Sequence, residues 1–312
     1  MREAAKEISK LKTRRYEKFG LRNIRELLIA EVDHIDDAFH KYGEKATVRG
    51  LSTGLADLDS NTDGLHKSEL IVIASRPGMG KTDLVLGIAA HASIKEKRAV
   101  AYFSLSLPAD RIARRLIASL GHISSYRLLR GAIGDDDWQG LTDAVGSLAE
   151  APLYIDESPS LTLPLLKERI ERIKDEKGIE LVIIDTLQHL EFQTSSERLP
   201  RADATLTKGI KDLAKEFQIP IVVTTSIRRE VESRANKRPV LHDLDEKLGV
   251  EENADAVIFV YRDDVYDEDS VDKGKAELIV AKNSEGPIGT ARVTYLQEYA
   301  RFENFMSKPR NL

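Results

Sequence analysis

Cysteine is absent from the 312 residues of this sequence, which excludes disulfides, zinc–thiolate centres and cysteine nucleophiles. No apolar run approaches the ~20 residues that a membrane-spanning helix needs. The N-terminus also lacks the apolar block that marks a secretory signal peptide. These absences predict a cytoplasmic protein without a membrane partner.

No large excess of either charge is present, since 47 Lys and Arg stand against 52 Asp and Glu, for a formal net charge of -5. This mild acidity argues against a protein that coats nucleic acid through bulk positive charge, although a local basic channel stays possible. The length suffices for one large core with an appendage.

The stretch IVIASRPGMGKTDLVLGIA, residues 71–89, joins a strand-like apolar run to a helical pattern through a glycine-rich loop. The unpaired N–H groups and the helix dipole at such a junction form an anion site. Gly78 and Gly80 allow the backbone to pass close to a phosphate. Lys81 can reach the β- and γ-phosphates, and the Thr82 hydroxyl can ligate Mg²⁺. An ordinary Gly/Pro-rich turn is the alternative, but the context favours a P-loop that binds ATP or another nucleoside triphosphate.

The predicted nucleotide-binding loop follows G-x-x-x-x-G-K-[ST], with serine in place of the first glycine. Its residues are Ser75, Arg76, Pro77, Gly78, Met79, Gly80, Lys81 and Thr82. Asp185 ends the apolar run ELVIID, at the sheet edge where α/β proteins bind ligands. An acid at a strand end is often merely solvated, but the upstream P-loop favours a Walker-B role. We therefore predict that Thr82 and Asp185 hold Mg²⁺.

Apolar runs alternate with amphipathic helical segments from residue 51 onward. Strands that are apolar throughout and separated by helices predict an α/β fold, with a mainly parallel sheet between helices. After residue 275 the pattern predicts an antiparallel hairpin. The predicted strands cover 69–74, 99–105, 152–157, 180–185, 219–225 and 255–261. The predicted helices lie near 82–94, 109–120, 135–149, 163–177 and 202–217.

The N-terminal 50 residues differ from the rest of the chain. The first 25 carry nine Lys and Arg against three Glu, and we expect residues 1–20 to form a basic helical or flexible segment. An apolar stripe with helical spacing follows, and it packs either on its own domain or on a neighbouring subunit. The stripe comprises Ile24, Leu28, Val32, Ile35 and Phe39.

Seven stretches, in order along the chain, resemble one family. They read TGLADLDSNTDGL, RPGMGKT, FSLSLPADRIARRLIA, LYIDESP, IIDTLQ, ADAVIFVYRDDVYD and AKNSEGPIGTARVTYLQEYARFEN. Together they are similar to the linker helix and C-terminal RecA-like ATPase domain of bacterial DnaB-type replicative helicases. The similarity runs from about residue 23 to about residue 304. We expect the family's primase-binding N-terminal domain to be absent, with a short basic segment in its place.

The resemblance implies a homo-oligomer, a hexameric ring around single-stranded DNA with nucleotide between its subunits. It implies a linker helix at 21–50 that docks on the adjacent subunit, a RecA-like nucleotide-binding domain at 51–306 and a tail at 307–312. It also implies nucleotide contacts from Lys282, on a hairpin that reaches the neighbour's site, and from Arg262, near the base.

The chain departs from the family at catalytic positions. Ser106, in FSLSL, stands where the family's FSLEM has a Glu that activates water, and serine is no general base near neutral pH without help. Ser284, in KNSEGP, stands where the family has an arginine finger acting in trans, a group worth roughly 10³–10⁵ in rate. Ser226 replaces a nucleotide-sensing Gln. No residue is therefore assigned as catalytic. Asp156 and Glu157, at a predicted strand end, are candidates for a relocated acid.

The family's DNA-binding loop DLRESG reads DLDEKLG here. Asp245 replaces an Arg and would repel phosphates, Leu248 replaces a Gly, and Lys247 restores some charge. We therefore expect weakened binding of single-stranded DNA. The candidate DNA contacts are Arg198, Glu246, Lys247 and Gly249.

Two functions from different classes follow. The first is an active ATP-dependent hexameric helicase that translocates on single-stranded DNA, which the resemblance favours. The second is a degenerate paralogue, a nucleotide-binding ring component of DNA replication with weak or lost hydrolysis. It would assemble alone or insert into an active replicative helicase, and the alterations in four functional places favour it. A recombinase-like RecA relative is a third possibility, which the YRDDVYD stretch and the hairpin disfavour.

Overall fold

The computed structural model describes residues 23–41, 48–191 and 202–305. The chain divides into two units, residues 1–47 and 48–312. The first contains helix α1 (Ile24–Lys41), whose first turn is capped by Asn23, since its Oδ1 accepts a hydrogen bond of 2.9 Å from the N–H of Arg25. The stripe residues Ile24, Leu28, Val32 and Ile35 are each more than half exposed, so α1 has an accessible apolar face.

The second unit contains the sheets and eight α-helices among its described residues. The strands are β1 (Leu70–Ser75), β2 (Val100–Ser104), β3 (Leu153–Asp156), β4 (Leu161–Thr162), β5 (Leu181–Asp185), β6 (Leu190–Glu191), β7 (Ile221–Ser226), β8 (Ala256–Tyr261), β9 (Lys275–Asn283), β10 (Gly289–Leu296) and β11 (Arg301–Asn304). The helices are α2 (Ala56–Thr62), α3 (Lys81–Ala90), α4 (Ala109–Gly121), α5 (Ser125–Arg130), α6 (Asp137–Ala149), α7 (Leu163–Lys177), α8 (Ala202–Phe217) and α9 (Val250–Asn253). Within the described ranges, no helix combines the length and apolarity that crossing a membrane requires.

Nine strands form one sheet in the order β11-β10-β9-β8-β1-β7-β5-β2-β3. The six strands from β8 to β3 pair in parallel, and β9, β10 and β11 add antiparallel pairs at one side. Strands β4 and β6 form a separate two-stranded sheet. This arrangement confirms the predicted α/β class and the C-terminal hairpin.

Side chains from both faces of the sheet are buried. Along β1, Ile71 and Ile73 face a cluster that includes apolar residues of α2, α3 and α4. Leu70, Val72 and Ala74 face a second cluster built with α7 and α8. Because successive side chains of a strand point to opposite faces, a strand covered on both sides must be apolar throughout.

The strand register brings the polar ends of several strands to one edge. Ser75 pairs with Ser226, and Ser104 pairs with Asp185. These residues end β1, β7, β2 and β5, so their side chains share the carboxyl edge of the parallel sheet. This edge is where open α/β sheets place their ligands.

The structure also contains elements that the sequence pattern did not predict. The predicted helix near 82–94 ends as an α-helix at Ala90 and continues as a π-helical turn, His91–Lys95. Helices α2, α5 and α9 have at most seven residues and strand β11 has four, too few for a periodic signal.

Candidate nucleotide-binding site

The loop between β1 and α3 adopts a glycine-dependent conformation. Gly78 and Gly80 have φ values of +84° and +99°, which residues with a Cβ rarely adopt. A Cβ on Gly80 would also lie 3.0 Å from the Phe302 ring, whereas space around Gly78 is open. The loop therefore leaves room for an anion above Gly78, at the N-terminus of α3.

Lys81, the first residue of α3, folds back onto the loop. Its Nζ donates to the carbonyl oxygen and to the hydroxyl oxygen of Ser75, both at 3.2 Å. Burial lowers the pKa of Lys81 to about 8, although the Asp185 carboxylate opposes this shift. The lysine is thus a partly desolvated cation held by weak contacts that a phosphate could replace.

Asp185 is buried at the end of β5 and accepts hydrogen bonds from three hydroxyls. Thr82 and Tyr102 donate to Oδ2 at 2.9 and 3.0 Å, and Thr224 donates to Oδ1 at 2.5 Å. Burial, with the nearby Asp185 charge, raises the pKa of Tyr102 well above its ordinary value, so the phenol stays a donor. Thr82 and Asp185 therefore contact each other directly, and their oxygens are of the hard type that Mg²⁺ prefers. The magnesium site itself stays a prediction.

A buried network of hydrogen bonds lies next to the loop. Asp83 accepts hydrogen bonds from Arg115 at 2.7 Å and from the Tyr295 hydroxyl at 2.6 Å. Burial raises the pKa of Asp83, and the Arg115 charge opposes that shift. The Arg262 guanidinium lies 4.4 Å from the centre of the Tyr295 ring and donates to the Gly78 carbonyl at 3.3 Å.

Arg262 itself is only 5% exposed. Its remaining described contacts are Asp264, at 3.2 Å, and the Gln297 side chain, at 3.0 Å. Arg262 thus lies next to the loop and supports it through the Gly78 carbonyl. A base contact stays a prediction.

The other loop residues have separate positions. Arg76 donates to Glu232 at 2.7 Å and to the Ile227 carbonyl at 3.0 Å. Met79 is buried in the core, and Pro77 is exposed at the loop tip. Arg76 therefore ties the loop to the segment that follows β7.

Lys282 and Ser284 lie at the opposite edge of the sheet. Because β9 is antiparallel to β8, Lys282 pairs with Val257 near the start of β8. Val257 in turn pairs with Val72, three residues before Ser75 and so about 10 Å from the loop at the rise of a strand. One chain does not bring Lys282 and the P-loop together.

Both residues bind backbone groups of their own chain. The Lys282 ammonium donates to the carbonyls of Glu251 and Ala254, at 2.7 and 2.6 Å. The Ser284 hydroxyl donates to the carbonyl of Asp255 at 3.1 Å. Lys282 therefore caps the end of α9, which adds a structural role to the predicted one.

Ser106 and Ser226 lie at the edge that carries Asp185. Ser106 is exposed, two residues after the end of β2, and Ser226 pairs with Ser75. Neither side chain carries a group that ionises as a base near neutral pH. Ser106 and Ser226 thus lie at the carboxyl edge of the sheet, and neither serine supplies a base there.

The carboxylates proposed as replacements are engaged elsewhere. Asp156 accepts hydrogen bonds from Arg169 and the N–H of Ser158. Burial alone would raise the pKa of Asp156, but the hydrogen bonds from Ser158 and Arg169 lower it. Glu157 accepts a hydrogen bond of 2.5 Å from the N–H of Ala109, the first residue of α4. These contacts disfavour either acid as a base.

The predicted DNA loop forms a short 3₁₀ turn, Glu246–Leu248, which ends at Gly249 with φ of +58°. Asp245 caps this turn by accepting a hydrogen bond of 3.1 Å from the N–H of Lys247. The guanidinium of Arg228 lies 3.7 Å from both Asp245 and Glu246. The loop's acids thus partly neutralise a nearby arginine. Arg198 lies outside the described residues.

Tyr102, Thr224 and Asp83 are site residues that sequence reasoning missed. Tyr102 is the one residue of β2 that combines a polar atom with a bulky ring, in a strand otherwise of small or apolar residues. Asp83 is an acid inside an apolar helical run. A polar side chain within an otherwise apolar strand or helix is the sequence signal that could have identified Tyr102 and Asp83.

A family model described as the DnaB-like helicase C terminal domain matches residues 50–304. The chain is 35% identical over 286 residues to the replicative DNA helicase DnaB of Geobacillus stearothermophilus, covering 91% of this chain and 62% of that protein. It is 35% identical over 305 residues to DnaB of Buchnera aphidicola subsp. Acyrthosiphon pisum, covering 97% and 66% respectively. The chain therefore spans less than two thirds of these relatives.

Two solved structures share the fold. One, described as an ATPase domain, superposes with a TM-score of 0.85 and 28% identity, covering 92% of this chain and 100% of that one. A DnaB-like replicative helicase, solved to show its interactions with primase, gives a TM-score of 0.82 and 28% identity, covering 92% and 68%. These matches confirm the predicted RecA-like fold and the family resemblance.

Proposed function

This chain belongs to the DnaB-like helicase family, and from that premise we propose that it is an ATP- and Mg²⁺-binding ring component of DNA replication whose hydrolysis is weak or lost. One observation carries the proposal. Lys81, Thr82 and Asp185 converge at the carboxyl edge of the sheet, whereas the positions of the family's water-activating and finger residues hold Ser106 and Ser284.

The residues present suit nucleotide binding. A triphosphate would lie against the open backbone at Gly78, and Lys81 would exchange its Ser75 contacts for phosphate oxygens. Thr82 and Asp185 offer adjacent oxygens that would hold a magnesium ion. When bound, Mg²⁺ would neutralise phosphate charge.

A different set of residues, at or near the family's catalytic positions, explains why hydrolysis would be slow. A positioned general base contributes typically 10²–10⁴ in rate, and the exposed Ser106 cannot supply it. Asp156 and Glu157 are held by Arg169 and by the start of α4. Ser284 carries no charge to stabilise a leaving phosphate in a neighbouring subunit.

Exposed apolar surfaces support assembly into a homo-oligomer, which we propose is a hexameric ring. Helix α1 exposes the four stripe residues that the structure describes, whereas the Phe39 side chain lies outside the described part, and large apolar side chains of α5 and α6 are also exposed. Isolated exposed apolar residues are ordinary, but two sets in one chain suit docking between copies. In the second set are Tyr126, Leu129, Trp138 and Val145.

Steady-state phosphate release, measured with and without oligo(dT), tests the loss of hydrolysis. We expect release near background in both conditions. Vigorous turnover stimulated by DNA would contradict the proposal. Mass photometry with and without ATP tests assembly, and we expect ATP to shift the population towards the ring.

The second candidate is an active hexameric helicase that translocates on single-stranded DNA. It is supported by 35% identity to proteins named replicative DNA helicase. Unwinding of a forked duplex, driven by ATP, would favour this candidate over the first.

A further inference from the structure

The environment of Asp185 contains a donor that the proposed nucleotide site does not use. Tyr102 is 1% exposed, and its hydroxyl donates to Oδ2 of Asp185 at 3.0 Å. Thr82 donates to the same oxygen, so both lone pairs of Oδ2 are engaged. Thr224 occupies the other oxygen.

These three hydroxyls take the place of a charged partner. Within the described part of the chain, no ion pair of 4 Å or less joins Asp185 to a lysine or arginine, whereas the nearby Asp83 pairs with Arg115 at 2.7 Å. A buried carboxylate needs hydrogen-bond donors, and for Asp185 three hydroxyls provide those found among the described residues.

The three hydroxyls that donate to Asp185 differ in whether they can move away from it. Thr82 lies in the first turn of α3 and can turn its hydroxyl towards a cation beside the phosphates. Tyr102 cannot, because its ring is fixed in the core and no second acceptor for its hydroxyl lies among the residues that the structure describes. Leaving Asp185 would strand a buried phenol hydroxyl.

We propose that Tyr102 is a positioning residue that limits the affinity of Asp185 for Mg²⁺, so that this chain binds nucleotide with only a small contribution from the cation. This inference rests on the proposed nucleotide binding. One lone pair of Oδ2 becomes free when Thr82 turns away, but Tyr102 keeps the other and draws charge from the oxygen that would face Mg²⁺ or its water.

The test is a titration with a fluorescent ATP analogue, with and without Mg²⁺, on the whole chain. The quantity compared is the ratio of the two dissociation constants. We expect Tyr102→Phe to raise the Mg²⁺-dependent gain in affinity about tenfold, the size of a charge-assisted hydrogen bond. Tyr154→Phe, on neighbouring β3, is the matched control and should leave the ratio unchanged, because that ring lies beneath Lys177 and not beside Asp185.

A double-mutant comparison separates positioning from a general packing effect. In an Asp185→Asn background, Tyr102→Phe should no longer change the ratio, because the carboxylate it acts through is gone. Thermal unfolding of each variant verifies that it folds, and Mn²⁺ bound with nucleotide, followed by electron paramagnetic resonance, gives a second readout.

The outcomes distinguish this inference from the proposed function. If the unmodified chain binds the analogue but Tyr102→Phe leaves the ratio unchanged or lowers it, the inference is wrong and nucleotide binding stands. If Tyr102→Phe changes the ratio equally with and without Asp185→Asn, Tyr102 acts through packing and the inference is also wrong. If the unmodified chain binds no nucleotide, both fail.

Discussion

The two edges of the central sheet hold their polar groups in different ways. At the carboxyl edge, buried Asp185 accepts a hydrogen bond from Thr82, and the partly buried Lys81 donates to Ser75, so a single chain sets their geometry. At the opposite edge, Lys282 and Ser284 bind backbone carbonyls near the surface, and Lys282 is in register with a position about 10 Å from the loop along the strands. The proposed nucleotide binding would thus use groups that one chain brings together, whereas any role of the second edge in hydrolysis would need a neighbouring subunit.

The largest expected effect comes from removing the cation at the carboxyl edge. Lys81→Ala should weaken ATP binding at least about a hundredfold, because the loop loses its phosphate-neutralising charge. Equilibrium titration measures this, with Lys67→Ala as the control, an exposed lysine before β1. Unchanged affinity in Lys81→Ala would mean that the loop is not the site.

The second largest effect should come from restoring charge at both edges of the sheet. Ser106→Glu combined with Ser284→Arg should raise phosphate release about thirtyfold if the loss of hydrolysis is local, since a base and a finger are supplied together. Ser106→Gln with Ser284→Arg is the matched control, because glutamine has a similar shape without a base. No rise in the first variant would indicate that subunit interfaces no longer align the two edges.

The pH dependence of ATP binding tests the role of the Lys81 charge without a substitution. Its pKa of about 8 in the free protein is depressed mainly by burial, and bound phosphates would raise it. Affinity should therefore be full below the free pKa and fall about tenfold from about pH 7 to about pH 9 as the ammonium loses its proton. Lys81→Arg, which stays charged, should give a flat profile. A flat profile in the unmodified chain would contradict the assignment.

The smallest expected effect concerns DNA. Asp245→Arg should raise affinity for oligo(dT) about threefold and steepen its salt dependence, because a phosphate-repelling charge becomes attractive. Glu268→Arg makes the same change in net charge on an exposed loop. Equal gains from both variants, measured by fluorescence anisotropy, would show a bulk charge effect and no DNA contact at this loop.

The sequence predicted the features that depend on residues close together along the chain. The P-loop is a short contiguous motif, and strands covered on both faces carry an uninterrupted apolar pattern. Contacts across long stretches of chain were not predictable in this way. Tyr102 and Asp185 are 83 residues apart, and Tyr295 and Asp83 are 212 apart, so only the packing of strands and helices brings them together.

The position of Lys282 illustrates a second limit. The hairpin was predictable, but which residue of β9 faces which residue of β8 depends on a register that includes an irregularity between Val257 and Ile258. A shift of one residue would move every side chain of the strand to the other face. The resemblance gave Lys282 a nucleotide contact, and only the register showed how far it lies from the loop of its own chain.

The most direct test of the account is the identity of the nucleotide that stays with the protein. After incubation with radiolabelled ATP and Mg²⁺, the protein is separated from free nucleotide by gel filtration and its bound nucleotide is resolved by chromatography. We expect ATP to co-elute intact, because in the proposed function the carboxyl edge would bind it while Ser106 and Ser284 would supply neither a base nor a charged finger. Recovery of ADP would contradict the loss of hydrolysis, and recovery of no nucleotide would contradict binding itself.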